Sequence, residues 1–205
     1  MLYISHREKN TKVLGPGLRY AIWLQGCKKH CAGCINPAGR PLDKNGYFVS
    51  VEDLFEEIKT KPNLTGITVS GGEPFLQAEE LSKLILKIKS ETNLDIMIYS
   101  GYTLEELRNF NSVAVEKILS NVDLLIDGEY IEEKNNNTIY RGSDNQVIHF
   151  LSDKYLPFKE KIENTCNRSV EFVCRDNDEL FIVGLPAKGF SKSFFKKILE
   201  DKNER

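Results

Sequence analysis

Apolar positions recur along this chain in two periods, and the alternation between them predicts its architecture. The run Tyr20-Ala-Ile-Trp-Leu-Gln25 is continuous enough to be a buried strand. Ser50 stands as an N-cap, with Asp53 three residues on and Leu54, Phe55 and Ile58 on one helical face. Gly66-Ile-Thr-Val-Ser70 is a β-branched strand that stops at Gly71-Gly72. Within residues 76–90, Leu81, Leu84, Ile85 and Ile88 follow at helical spacing. Leu94-Asp-Ile-Met-Ile-Tyr99 alternates as a strand, and Thr103-Leu-Glu-Glu opens a helix with a capping box. Val122-Asp-Leu-Leu-Ile126 is a further buried strand, closed by Asp127-Gly128.

Strand and helix thus alternate, which predicts an α/β fold with crossover units on a parallel sheet. Regularity weakens after the polar loop Glu132-Glu-Lys-Asn-Asn-Asn137. Val170-Glu-Phe-Val173 and Leu180-Phe-Ile-Val-Gly184 predict a hairpin around Arg175-Asp-Asn-Asp178. Residues 191–201 predict a closing amphipathic helix with Phe194, Phe195, Ile198 and Leu199 inward. The expected division is a body over residues 1–151 and a C-terminal extension over 152–205 packed on it.

Composition narrows the function classes. The chain has 205 residues, 28% of them charged, and a formal net charge of −2. That size suits one domain, and the charge balance gives no reason to expect a nucleic-acid or membrane partner. No apolar run approaches the roughly 18 residues of a membrane span. The start, Met1-Leu-Tyr-Ile-Ser-His-Arg-Glu-Lys-Asn10, lacks the apolar stretch of a secretion signal. A cytoplasmic location follows as the expectation, where thiols stay reduced.

Three of the five cysteines crowd into Gly26-Cys27-Lys-Lys-His-Cys31-Ala-Gly-Cys34, directly after the first strand. Three thiolates can each bind one iron of a cubane cluster, leaving the fourth iron free for an exogenous ligand. The alternative is a structural zinc site in a non-catalytic binding module, with a fourth donor among Cys166, Cys174, His30 and His149. The second motif, Val69-Ser-Gly71-Gly72-Glu73-Pro74, sits between a strand and a helix. It is either a plain tight turn or a place where bare backbone meets a small ligand. If consecutive parallel strands end on one face, this turn, the cysteine loop, Tyr99-Ser100-Gly101 and Asp127-Gly128 share a rim. Asp127 is then a turn or helix cap, or an acceptor for a ribose hydroxyl or an ammonium group. Arg19 pairs with a carboxylate or is a solvated surface residue.

Together these motifs resemble the radical S-adenosylmethionine superfamily, and within it the activating enzymes of glycyl radical enzymes, above all those of anaerobic ribonucleoside-triphosphate reductases. The resemblance extends from Gly15-Pro-Gly17 through Ser-Gly-Gly-Glu-Pro-Phe-Leu-Gln77, Tyr-Ser-Gly-Tyr-Thr-Leu-Glu-Glu-Leu107 and Arg141-Gly-Ser-Asp-Asn-Gln146. Leu14, Ile35 and Asp144 depart from the family's usual aspartate, aromatic and serine. The resemblance implies an incomplete barrel resembling a TIM barrel over residues 1–151. It implies a [4Fe–4S] cluster on Cys27, Cys31 and Cys34, and S-adenosylmethionine chelated by the open iron. Gly33, Cys34, Ile35, Gly71, Gly72, Glu73, Ser100 and Asp127 become the expected cofactor-binding residues. On this view a bulky residue at Gly72 spares the cluster and weakens cofactor binding. The implied reaction is reductive cleavage to a 5′-deoxyadenosyl radical, which takes a hydrogen from a partner enzyme's glycine. Flavodoxin or ferredoxin is the implied electron donor. A radical enzyme that modifies a peptide or small molecule is the alternative within the superfamily, since the tail exceeds that of the shortest activating enzymes.

Overall fold

The computed structural model describes residues 1–174, 180–190, 193, 194 and 196. Seven strands form one open sheet, in spatial order β3-β1-β2-β4-β5-β6-β7. They are β1 (Leu2–Thr11), β2 (Arg19–Leu24), β3 (Tyr47–Val49), β4 (Gly66–Gly71), β5 (Asp95–Tyr99), β6 (Leu124–Asp127) and β7 (Val147–Phe150). The four strands expected from the pattern, β2, β4, β5 and β6, are mutually parallel and adjacent in chain order. The crossovers run through α1 (Val51–Lys59), α2 (Ala78–Glu91), and the pair α3 (Leu104–Asn109) and α4 (Val113–Leu119). Ser50 caps α1 by accepting from Asp53 N, and Thr103 and Glu106 form both halves of the capping box on α3.

The sheet is mixed where a purely parallel one was expected. β1 runs antiparallel to both β2 and β3, and β7 closes the other edge antiparallel to β6. β1 escapes the pattern because its apolar alternation, Leu2 and Ile4, gives way to Arg7-Glu-Lys9 while the backbone continues.

Side chains separate by the two-residue period of the strands. Tyr20, Ile22, Ile67, Val69, Ile96, Ile98 and Leu125 pack with Leu54, Phe55, Leu81, Leu84, Ile85 and Ile118 of the helices. Met97, Leu124 and Ile126 point to the opposite face, where they meet Ile148, Tyr155 and Ile162. On that same face β8 (Val170–Cys174) and β9 (Leu180–Gly184) form the expected antiparallel hairpin. Val183 and Phe181 of the hairpin pack on Leu14, Ala21 and Trp23. The turn at 175–178 lies outside the described residues, as does most of the predicted closing helix.

A buried ion pair pins the strand starts. Arg19 and Asp95 are fully buried, with Arg19 Nη2 lying 2.6 Å from Asp95 Oδ1. That contact is off the hydrogen-bond direction. Nη2 donates instead to Ile67 O at 2.5 Å, while Nη1 donates to Pro16 O and Nε to Thr68 Oγ1. Tyr155 donates to Asp95 Oδ2 at 2.7 Å. Of the two readings of Arg19, pairing with a carboxylate is the one observed. Asp95→Asn leaves a buried guanidinium without its counter-charge, and should cost about 3–5 kcal/mol in urea unfolding.

Candidate functional site

At the C-terminal ends of the parallel strands, two short segments are stitched together through their backbones. Gly72 N donates to Leu24 O at 2.7 Å and Glu73 N donates to Gly26 O at 2.8 Å. The loop that carries the cysteines starts at the same place, with Gly26 N on Gly39 O and Cys27 N on Arg40 O. A Cβ on Gly72 would collide with the carbonyl oxygens of Gly26 and Gly39, and one on Gly71, at φ +116°, with the backbone of Leu24. The paired glycines are therefore needed first for this close approach of backbone to backbone. Two amides complete the join. Gln77 bridges Tyr3 N, Tyr3 O and Gln25 O, and Gln25 donates to Ala38 O and Pro41 O.

Glu73 is 1% exposed. Its carboxylate accepts from Gly101 N at 2.7 Å, Ser100 Oγ at 3.0 Å and Phe75 N at 3.1 Å. Burial outweighs these donors and pushes its pKa up to about 7. Glu73 thus ties the glycine turn to the end of β5, where sequence alone offered only a ligand contact.

Cys27, Cys31, Gly33, Cys34, Ile35, Gly71, Gly72, Glu73 and Ser100 all line one cavity of about 710 Å³. Asp127 does not line it, although Gly128 does. The Asp127 carboxylate accepts from Leu104 N at 2.5 Å and sits 2.8 Å from His149 Nε2, which is the capping role. A second cavity, of about 780 Å³, opens beside Asp95 and Tyr155 at the other end of the strands; Pro16 and Gly17 line it, and none of the cysteine-loop or glycine-turn residues does.

The cysteines are free thiols. Lys29 N donates to Cys27 Sγ at 3.3 Å, and Cys31 Sγ lies 3.8 Å from Glu129 Oε2, which Lys29 Nζ also meets through Oε1 at 2.8 Å. Burial raises the pKa of the Cys27 and Cys31 thiols, so ligation must displace their protons. Among the described residues, no three His, Cys, Asp or Glu side chains converge tightly enough to hold a single metal ion. Cys27, Cys31 and Cys34 line one cavity, where a cubane would give each thiolate its own iron. None of the four candidate fourth donors lines the cavity: His30 meets Arg40, His149 meets Asp127, and Cys166 and Cys174 are exposed.

Residues 13–149 match the family model of a 4Fe–4S single cluster domain. The chain is 32% identical over 149 residues to the anaerobic ribonucleoside-triphosphate reductase-activating protein of Escherichia coli K12, covering 68% of this chain and 92% of that protein. The protein of the same name from enterobacteria phage T4 is 31% identical over 146 residues, covering 69% and 89%. Pyruvate formate-lyase-activating enzyme of Staphylococcus aureus USA300 is 30% identical over 159 residues, covering 73% and 63%. The chain belongs to the activating-enzyme branch of the radical S-adenosylmethionine family. It is accordingly a radical enzyme whose cofactors are a [4Fe–4S] cluster and S-adenosylmethionine. The family match stops at residue 149, so the β8–β9 hairpin and the segment C-terminal to it lie outside the matched region.

Sequence reasoning missed Gln25, Gln77, Lys29 and Arg168. Gln77 closes the Ser-Gly-Gly-Glu-Pro-Phe-Leu-Gln77 motif and Gln25 ends the first predicted strand, but neither position signals a bridging amide. Arg168 lines the cavity, and donates to the carbonyls of Thr138, Arg141, Gly142 and Pro186.

Gly72→Ala pushes the turn off the Gly26 and Gly39 carbonyls, so the prediction is that a larger residue there disturbs the cysteine loop as well as the cofactor. Iron retention after anaerobic reconstitution should fall, and stability should fall by about 1–3 kcal/mol. Glu73 has a raised pKa in the fold, so its contribution is most favourable below the unfolded value and is lost as pH rises through about 7. Urea unfolding of cluster-free protein should show the wild type losing up to about 3 kcal/mol relative to Glu73→Gln between pH 4 and 8.

Proposed function

We propose that this chain cleaves S-adenosylmethionine reductively and installs a glycyl radical on a partner enzyme such as an anaerobic ribonucleotide reductase. The observation that carries this reading is three free thiols facing the same cavity as the Gly71-Gly72-Glu73 turn, while His30, His149, Cys166 and Cys174 do not line it. When bound, the cluster supplies the electron that breaks the sulfonium carbon–sulfur bond, and the radical so formed takes a hydrogen from glycine.

The protein's part is to bind, orient and enclose. Cys27, Cys31 and Cys34 hold the cluster through three corners. Gly33, Cys34 and Ile35 would bind along the cofactor, and Gly71, Gly72, Glu73 and Ser100, which line the same cavity, would hold its methionyl end. Glu73, half ionised near neutral pH, is a fitting neighbour for an ammonium group. Asp127 is left out of this set because its carboxylate is already committed to Leu104 and His149.

The singly wound run β2-β4-β5-β6, with its helices on one face, supports reading the sheet as an incomplete barrel whose mouth is the cysteine rim. The division proposed is a body over residues 1–151 and an extension from residue 152, whose described residues Phe181 and Val183 pack on Leu14, Ala21 and Trp23. The cytoplasm is the proposed compartment, with flavodoxin or ferredoxin as electron donor. No helix of the described residues is long and apolar enough to cross a membrane. Modification of a free peptide or small molecule is the second reading, favoured by the extension's contribution to the cavity wall.

The test is anaerobic reconstitution, reduction, and assay for 5′-deoxyadenosine with and without a candidate reductase. Cofactor cleavage together with a glycyl radical signal on the reductase supports the proposal. Cleavage with no radical on any glycyl radical enzyme moves the assignment to the second reading. Cys31→Ala should lose the visible absorbance of the cluster, because two thiolates anchor a cubane poorly.

A further inference from the structure

The cofactor cavity has one wall that the family-matched core does not supply. Residues 184–190, at the end of β9 and just beyond it, line it together with the cysteine loop. This strap is held from three sides. Val183 is buried against Leu14 and Ala21, which fixes where the strap leaves the hairpin. Arg168 draws Pro186 O to the carbonyls of Thr138, Arg141 and Gly142, so the strap is tied to the Arg141-Gly-Ser-Asp-Asn-Gln146 segment. Asn137 Oδ1 accepts from Lys188 N at 2.8 Å. A segment held at Val183, Pro186 and Lys188 keeps its shape over that stretch when something enters beside it.

The strap's lining is mostly apolar. Leu185, Pro186, Ala187 and Phe190 contribute to it, with Ile35, 58% exposed, on the cysteine loop of the same cavity. Ala187 is itself exposed. Apolar groups on an open cavity wall gain from covering by apolar groups of a partner.

We infer that the strap over residues 184–190 is the substrate-recognition wall of the site, and that it selects a peptide segment whose residues beside the reactive glycine are apolar. The inference rests on the glycyl-radical reading above and specifies the partner's chemistry at that same site. The radical must reach a glycine α-carbon, so the segment enters as extended backbone, and its flanking side chains fall against the strap. A partner with polar flanks leaves these apolar groups uncovered and binds less well.

The experiment uses the full chain, reconstituted anaerobically. Two labelled peptides, Ala-Ala-Val-Gly-Val-Ala-Ala and Ala-Ala-Thr-Gly-Thr-Ala-Ala, differ only by a methyl-to-hydroxyl exchange on each side of the glycine. Fluorescence polarisation should give a Kd about fivefold lower for the valine peptide. Ala187→Glu and Leu185→Ser should each weaken valine-peptide binding about tenfold or more, with cluster absorbance unchanged. Ala187 is exposed, so its variant folds even if Leu185→Ser does not. Equal binding of the two peptides, or wild-type affinity in Ala187→Glu, overturns the inference. If the wild type forms no 5′-deoxyadenosine at all, the functional reading fails, whatever the peptides do. If it forms 5′-deoxyadenosine and the strap variants bind as wild type, the strap inference alone fails.

Discussion

The hydrogen bond from Glu73 N to Gly26 O, with Gly72 pressed onto the Gly26 and Gly39 carbonyls, is the constraint on which the site depends. It joins the ends of two parallel strands at a distance that no side chain tolerates. The cysteine loop has few internal backbone bonds, the one within it being Cys34 N to Cys31 O at 3.3 Å. Its position is therefore set from outside, by the glycine turn on one side and the segment returning through Ala38, Arg40 and Pro41 on the other. The motif's two glycines hold the cysteine loop as much as they leave room for a ligand.

The molecule separates its tasks along the strand axis. At the strand starts, Arg19 and Asp95 form a buried ion pair, with Tyr155 and Lys154 on the second carboxylate oxygen of Asp95. At the strand ends, the carboxylate of Glu73 is buried without a full counter-charge, and the cysteine thiols are half-buried and not bridged to one another. A paired charge at one end and titratable groups left open at the other are the usual signature of a scaffold and its site.

Much of this was legible from the order of residues. The four parallel strands, the caps at Ser50 and Thr103, and the meeting of the cysteine and glycine motifs on one rim all follow from period and spacing. β1 was not legible, because Arg7-Glu-Lys9 interrupts its apolar alternation while pairing with β2 persists. Asp127 illustrates the limit at the site. A carboxylate at a strand end carries the same local signal whether it faces a ligand or a neighbouring helix, and only the placement of Leu104 and His149 decides between them. Gln25, Gln77 and Arg168 act through carbonyls distant in sequence, which leave no trace in spacing.

Arg168 has a consequence for how this region can drift in sequence. Its acceptors are main-chain carbonyls, which every amino acid provides. Exchanges at Thr138, Arg141 or Pro186 that keep the backbone path leave the clamp intact, whereas Arg168 itself has no equivalent, since lysine offers a single point of charge in place of a planar fork. One invariant arginine surrounded by freely varying neighbours is the pattern that comparison of orthologues carrying the same extension should reveal.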